Sequence, residues 1–298
     1  MSLLLRFILG ILVWWTLPYA YAEDVQTVRM GFYQGSLREM SRIDLREAFT
    51  LWTKELSIAF KLPMEVFFYE DIASMRLAFD RGEINSVSAD AMTLARGFKV
   101  SELAEGYSVA VPHGWNMLLM AGRDSQVQTV NDLAGKRIAV LENDLTSTVY
   151  LETLCLRHYA RECNKVFSEI QRLPSSNQTL MRVFFGKADL TLAYKYSYEV
   201  AREMNPQLET KMGRVVDELP LGGVYYAFFS VKVRPEHRQQ ALKAIPMMNT
   251  YPRGRQLLDL FKMDHLEVVH SQELKPFIQM DQTYRDLRAQ ITRKATTK

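Results

Sequence analysis

A helix–glycine–strand phrase occurs twice in this chain, a domain's length apart. The first copy runs from Met75 to Asp90 and the second from Met181 to Tyr194. In each copy an amphipathic helical pattern ends at a glycine, Gly82 or Gly186, where a left-handed backbone is least strained. A short apolar strand follows directly. The repetition predicts two α/β lobes of similar structure. The alternative is a chance similarity, because the helix–glycine–strand pattern is common in α/β proteins.

The ends of the two repeated strands predict where a ligand binds. Open α/β sheets bind ligands beyond the carboxyl ends of their strands, so two facing lobes would hold a small molecule between two such edges. Asp90 could recognise an amine of the ligand or cap the helix that begins at Ala91, and capping is favoured. The candidate ligand-binding residues at these edges are Tyr33, Gln34, Ser36, Ser88, Asp90 and Tyr194.

The first 22 residues are typical of a secretory signal. Arg6 gives a positive start, Phe7–Leu17 an apolar core, and Ala20-Tyr21-Ala22 a small-residue cleavage site. We therefore expect an exported protein that begins at Glu23; an N-terminal anchor that is kept is the alternative. Because no cysteine follows the apolar core, a lipoprotein-type lipid anchor is excluded.

Composition and motifs point away from nucleic acid and from catalysis. The formal net charge of +3 is small and scattered, which does not predict a nucleic-acid-binding surface. The five histidines have no metal-ligand spacing, and no phosphate-binding loop, dinucleotide fingerprint or nucleophile elbow occurs. The sequence therefore predicts no catalytic residue, no metal site and no cofactor.

The only two cysteines are Cys155 and Cys163. In one continuous helix their Cα atoms would lie roughly 12 Å apart, which is too far for a disulfide. A bridge therefore requires the chain to turn back near Tyr159–Arg161. Export and an even cysteine count favour the bridge, and a pair of free buried thiols is the alternative.

The order of predicted elements divides the chain into a lobe built from both ends and a lobe built from the middle. Crossings near Val111–Trp115 and Leu221–Tyr226 would form the hinge, and packing is the favoured role of Trp115 there. A strand-like run at Val224–Val233 returns the chain to lobe 1, and C-terminal helices, the last near Gln272–Ile291, complete that lobe. The predicted division is 1–22 signal peptide, 23–112 first part of lobe 1, 113–225 lobe 2, and 226–298 return to lobe 1.

A run of hydroxyl side chains stands where the middle lobe would begin a helix. Asn143–Thr148 follows the predicted strand Arg137–Leu141. Exposed N–H groups and hydroxyls at a helix start suit an anion, because the helix dipole and the unpaired donors point there. An ordinary N-cap that binds no ligand is the alternative. The candidate anion-binding residues are Thr146, Ser147 and Thr148.

Several segments resemble a known family. Val130–Val140 resembles the Asp-Leu-x-Gly-Lys segment that opens the second lobe of type II periplasmic solute-binding proteins. Thr146–Thr148 falls where the phosphate/phosphonate-binding components of ABC importers carry a Ser-Thr-Ser-Gly anion loop. Ala188-Asp189 and Pro252–Leu258 are similar to two further phrases of that branch.

The resemblance implies a two-lobed type II periplasmic-binding-protein fold of the α/β class, with a mixed sheet flanked by helices in each lobe and a two-crossing hinge. It implies a periplasmic monomer that closes around a small anion and delivers it to an ABC transporter permease or reports it to a membrane sensor. A polar amino-acid-binding protein is one alternative, since Thr93–Arg96 is similar to the Thr-x-x-Arg motif of that branch. An exported enzyme on the same scaffold is the other.

Overall fold

The computed structural model describes residues 27–36, 41–260 and 263–296, and the predicted signal peptide lies outside them. The described part is a mixed α/β structure with two separate sheets. In chain order the strands are β1 (Val28–Tyr33), β2 (Met64–Tyr69), β3 (Ser86–Asp90), β4 (Leu103–Ala110), β5 (Met117–Gly122), β6 (Arg137–Leu141), β7 (Glu169–Leu173), β8 (Leu190–Tyr194), β9 (Met212–Arg214), β10 (Tyr225–Ser230) and β11 (His265–Val269).

Helices flank both sheets. In chain order they are α1 (Arg42–Phe60), α2 (Ile72–Asp80), α3 (Ala91–Gly97), α4 (Leu145–Tyr159), α5 (Cys163–Val166), α6 (Ser176–Phe184), α7 (Lys195–Met204), α8 (Gln207–Lys211), α9 (Pro235–Met248), α10 (Pro252–Leu260) and α11 (Lys275–Thr296). Short 3-10 turns lie at Gln34–Ser36, Val100–Glu102, Arg123–Ser125, Val130–Asp132 and Ser271–Leu274.

The two sheets define the two lobes. The six-stranded sheet of lobe 1 has the order β11-β4-β10-β3-β1-β2, and the five-stranded sheet of lobe 2 has the order β7-β6-β8-β5-β9. In lobe 1, β1 runs parallel to β2 and β3, while β10 lies antiparallel between β3 and β4. In lobe 2, β6 runs parallel to β7 and β8, and β5 is antiparallel to β8. Both sheets are mixed, as predicted.

The repeated phrase has the same backbone structure in both lobes. Gly82 and Gly186 adopt φ values of +69° and +66°, which a side chain would strain. The N–H of Gly82 donates to the Phe79 carbonyl, and the next N–H donates to the carbonyl five residues back; the bonds after α6 repeat this pattern. These two bonds form a Schellman cap. The helix–glycine–strand prediction is therefore confirmed in both copies.

The likeness of the lobes extends to an arginine at the start of each parallel pair. Arg29 in β1 donates from its guanidinium to the Gly82 carbonyl at 2.9 Å. Arg137 in β6 donates in the same way to the Gly186 carbonyl at 3.1 Å. The N–H of each arginine donates at 2.8 Å to the side chain that precedes the repeated strand, Asn85 in one lobe and Asp189 in the other. The two helix–glycine–strand copies are therefore held to their sheets by equivalent hydrogen bonds.

The cysteines are bridged, as the sequence favoured. Helix α4 ends at Tyr159, and Ala160 has a φ of +50°, which reverses the chain. This turn brings the Cα atoms of Cys155 and Cys163 to 5.4 Å, within disulfide range.

Two predictions need correction, and one strand was not predicted. The sequence pattern predicts Asp44 as the cap of a helix that runs to about Phe60, but helix α1 is capped by Ser41. The Ser41 hydroxyl accepts the Asp44 N–H at 3.2 Å and donates to its carboxylate at 2.6 Å. The sequence pattern predicts the repeated strand of lobe 1 at Ile84–Ser88, but the strand lies at Ser86–Asp90, two residues later. His265 lies in an edge strand, β11, that the sequence did not reveal.

The C-terminal helix α11 does more than complete lobe 1. It packs along α4 of lobe 2 and also on α3 of lobe 1. Asp281 of α11 accepts from the Arg96 guanidinium of α3 at 2.8 Å. Further along α11, Arg288 lies 3.7 Å from Glu162 of lobe 2. Helix α11 is thus attached to both lobes.

Candidate functional site

The lobe 1 edge of the site is built around a serine–aspartate pair. Parallel strands β1 and β3 end side by side, so the turn after β1 meets Asp90 at the end of β3. The Ser36 hydroxyl accepts the Asp90 N–H at 2.7 Å and donates to its carboxylate at 3.1 Å. The other carboxylate oxygen accepts the Thr93 N–H at 3.0 Å and caps α3. Asp90 therefore has the capping role that the sequence favoured, and the pair fixes the turn.

The remaining lobe 1 candidates are neighbours of this pair. Gln34 is buried, yet its Oε1 has no hydrogen-bond partner among the described residues. Ser88 lies opposite Phe32 of β1 and is partly exposed, as is Tyr33. The structure thus gathers all five predicted residues of lobe 1 at one edge, with one buried amide oxygen unsatisfied.

The lobe 2 edge is built around Asp144, which the sequence did not single out. Its carboxylate caps α4 by accepting the Thr146 N–H at 3.2 Å. The same carboxylate accepts the Ser147 hydroxyl and, at 3.0 Å, the Tyr194 hydroxyl from the end of β8. An aspartate two residues ahead of the hydroxyl run was the available signal, because aspartate is a preferred N-cap.

The three predicted anion-binding hydroxyls therefore differ from one another. Ser147 is buried and donates to Asp144. Thr148 is exposed, and its hydroxyl donates to the Asp144 carbonyl at 2.7 Å. Thr146 is completely buried, and its Oγ1 has no partner among the described residues. Only the Thr146 hydroxyl thus combines burial with an unused hydrogen-bonding capacity.

The Tyr194 hydroxyl is influenced by charged and polar groups of both lobes. Burial, followed by the charge of Asp144 and the proximity of Tyr225 and Asp90, raises the pKa of Tyr194 well above its usual value. The phenol therefore stays protonated at neutral pH and remains a donor to Asp144. The two edges lie close together, because the Trp115 ring contacts both Tyr194 of lobe 2 and Tyr225, which pairs with Asp90 in lobe 1.

Trp115 packs where the chain first crosses between the lobes. Its indole N–H donates to the Val109 carbonyl at 2.8 Å. Its ring centroid lies 5.2 Å from that of Tyr225 in lobe 1 and 5.9 Å from that of Tyr194 in lobe 2, both in edge-to-face geometry. The tryptophan thus stabilises the crossing by packing, as the sequence favoured.

Arg96 is engaged in a contact with the C-terminal helix α11. Its Nε and Nη2 both donate to Asp281, at 2.8 and 2.5 Å. In the amino-acid-binding alternative this guanidinium would hold a ligand carboxylate, but here it holds one of the protein's own. The Thr93–Arg96 motif therefore no longer favours a polar amino-acid-binding protein.

Metal binding and membrane insertion find no support in the described part of the chain. Within residues 27–36, 41–260 and 263–296, histidine, cysteine and acidic side chains form no group of three or more that could hold a metal ion. Among these residues no helix is both long and apolar enough to cross a membrane.

Comparison with protein-family models identifies one family for this chain. Residues 37–274 match the family model described as the periplasmic substrate-binding protein of phosphonate ABC transporters. No curated protein sequence gives a significant match to the chain.

Three solved structures share the fold at low sequence identity. A binding-protein component of an ABC phosphonate transporter from Pseudomonas aeruginosa is 12% identical, with a TM-score of 0.61, over 90% of this chain and 89% of that one. PhnD1 from Prochlorococcus marinus, solved with methylphosphonate, is 13% identical, with a TM-score of 0.59, over 88% and 99%. A Xanthomonas citri protein solved with chloride is 12% identical, with a TM-score of 0.62, over 89% and 99%.

Proposed function

The chain belongs to the family of periplasmic substrate-binding proteins of phosphonate ABC transporters, and on that premise we propose that it captures a small phosphonate or related oxyanion between its lobes. The proposed site joins the lobe 1 edge, with Gln34, Ser36 and Ser88, to the start of α4 in lobe 2. Closure of the lobes would be driven by contacts that the ligand makes with both edges at once.

Two buried polar atoms give this proposal its main support. The Oγ1 of Thr146 and the Oε1 of Gln34 lack hydrogen-bond partners among the described residues. Buried polar groups are almost always paired in native proteins, so an unpaired one at the edge of each lobe calls for a further partner. A bound oxyanion would accept from the Thr146 hydroxyl. The Gln34 Oε1 can only accept, so the amide of Gln34 would donate to the same ligand through its Nε2 after a rotation that exchanges the two amide atoms.

The carboxylate of Asp144 limits which anions can bind at the start of α4. It accepts the Thr146 N–H, the Ser147 hydroxyl and the Tyr194 hydroxyl, so an anion at this helix start lies close to a negative charge. A phosphonate or phosphate that keeps one proton can donate from its P–OH group to a nearby carboxylate, which only accepts. A sulfonate has no such proton and would be repelled. We therefore expect phosphonate and phosphate to bind better than sulfonate.

The proposal extends to export and to partners. Residues 1–22 act as a cleaved signal peptide, and the mature chain works in the periplasm as a monomer without enzymatic activity. Family membership supports delivery of the ligand to an ABC transporter permease. Reporting to a membrane sensor is the other use that such a protein can serve.

Thermal unfolding with defined ligands tests the ligand class. Methylphosphonate and inorganic phosphate should raise the melting temperature of the mature protein, because a ligand at a hundred times its Kd stabilises the folded state by about 2.7 kcal/mol. Methanesulfonate, which matches methylphosphonate in shape but lacks the P–OH group, is the control and should give a smaller shift. Equal shifts for phosphonate and sulfonate would refute the role given to Asp144. No shift with any phosphonate or phosphate would refute the proposed function.

A further inference from the structure

An internal cavity of about 40 Å³ lies between the lobe 1 sheet and helix α1. Ser36, Ser88 and Tyr225 line its end nearest the proposed site; Ser36 bonds Asp90, and Tyr225 pairs with Asp90 in the sheet. The rest of the lining is mainly apolar, with Met30, Phe32, Phe49, Trp52, Leu56 and Val109. The cavity therefore leads from the proposed site into the apolar interior of lobe 1.

The cavity exists because the middle of the sheet carries small side chains on the face toward α1. Met30 of β1 pairs with Ser86 of β3, and Ala227 of β10 pairs with Ser88 and with Tyr107. Buried central strands usually carry branched apolar residues, and protein interiors leave few voids. Ser88 at the first cavity and Ser86 at the second are small side chains at central positions, and they leave space that α1 does not fill.

The lining is poor in hydrogen-bond partners. The Tyr107 hydroxyl contacts the thioether sulfur of Met30 at 3.8 Å, and sulfur is a weak acceptor. Burial raises the pKa of Tyr107 well above its usual value. A second cavity of about 30 Å³ shares Met30, Trp52, Leu56 and Tyr107 with the first and continues the space toward α9. Apolar cavities of this kind hold hydrocarbon groups better than water.

We propose that the lobe 1 cavity takes the carbon substituent of the bound phosphonate, so that the protein selects short-chain alkylphosphonates over methylphosphonate and phosphate. This inference rests on the proposed function, because it places the phosphonate head group at the Ser36–Ser88 end. A water molecule, close in size to a methylene, needs about 10–15 Å³ by the same measure. The first cavity thus has room for about three methylene-sized groups.

A homologous series tests the proposal on the unmodified mature protein. Calorimetric titration would compare methyl-, ethyl-, propyl- and butylphosphonate with inorganic phosphate. Each added methylene that enters the cavity should tighten binding about fourfold, so propylphosphonate should bind roughly fifteenfold tighter than methylphosphonate. If the longer members bind no tighter than methylphosphonate, the cavity does not take the substituent. If no member binds at all, the proposed function itself fails, and the two failures are thereby distinguished.

A cavity-filling variant tests where the substituent lies. Thr53 lines the cavity from α1, is buried, and its hydroxyl bonds the Phe49 carbonyl of its own helix at 2.8 Å. Thr53→Leu should fill the space and bring the ratio of propyl- to methylphosphonate affinity close to one.

Thr153 offers a matched control in lobe 2. It is equally buried, and its hydroxyl bonds the Val149 carbonyl of α4 at 2.7 Å. Thr153→Val should keep the wild-type ratio, and circular dichroism would verify that both variants fold. If Thr53→Leu folds and keeps the wild-type ratio, or if it does not fold and the wild-type series shows no dependence on chain length, the proposal is overturned.

Discussion

Replacing Thr146 by valine should weaken ligand binding without lowering the stability of the free protein. Valine matches threonine in shape and removes only the buried hydroxyl, whose oxygen has no partner among the described residues. Loss of a hydrogen bond to a charged ligand weakens binding by about 1.5–3 kcal/mol, or roughly ten- to a hundredfold. Without ligand, removal of an unpaired buried hydroxyl should leave the free energy of unfolding unchanged or raise it by about 1 kcal/mol.

Calorimetric titration with methylphosphonate and urea unfolding without ligand would measure the two effects of Thr146→Val. Thr153→Val is the matched control on the same helix, because the Thr153 hydroxyl is bonded to a helical carbonyl. Its loss should lower stability by at most about 1 kcal/mol and leave affinity unchanged. If Thr146→Val binds methylphosphonate as tightly as the wild type, the anion does not lie at this helix start. If Thr146→Val instead loses stability without ligand, its hydroxyl already has a partner.

Three further predictions follow from other contacts. Replacing Cys155 and Cys163 together by serine should lower the free energy of unfolding by roughly 2–3 kcal/mol, and an unchanged urea midpoint would count against this. Ser147→Asp sets a second carboxylate at the helix start, so it should weaken methylphosphonate binding more than Ser147→Ala does; equal calorimetric affinities would contradict this. Hydrogen bonds from Arg76 lower the pKa of Glu102 from 4.5 to about 2, so the stability they give is present above pH 4.5 and is lost as pH falls toward 2. The stability difference between wild type and Glu102→Gln should therefore shrink over that range, and a constant difference would disprove the link.

The fold was predictable where local chemistry decides it. A glycine at the end of an amphipathic helix marks a Schellman cap, and Gly82 and Gly186 both form one. Strand β11 escaped notice because its pairing with β4, far earlier in the chain, makes it a strand. The start of α1 was misplaced because Ser41 and Asp44 are both good capping residues, and only the bonds between them show which one precedes the helix.

The sequence predicted which candidate residues gather at the two edges, but not which of their hydroxyls are already bonded within the protein. The rule that ligands bind at strand ends identified the edges that contain Ser36 and Thr146. Which hydroxyls are already committed depends on Asp144, which also bonds Tyr194 from 50 residues later in the chain. The lobe 1 cavity could not be predicted from the sequence either. Small residues in β3 leave a cavity only if α1 does not pack down against them, and the sequence does not give the position of α1.

Helix α11 changes how the two lobes can move. Two chain crossings alone would allow a simple hinge rotation of the lobes. The 22-residue helix α11 packs on both lobes, so we expect part of any rotation to occur as small sliding movements between packed helices. The exposed Arg288–Glu162 ion pair stabilises the contact by at most about 1 kcal/mol, so it can break when the lobes move. The Arg96–Asp281 pair is better shielded, but α11 packs at least as extensively on α4 of lobe 2 as on α3 of lobe 1, so the helix is held from both sides. We therefore expect the distance over which α11 can slide, and not the bending of the two crossings, to limit how wide the protein can open.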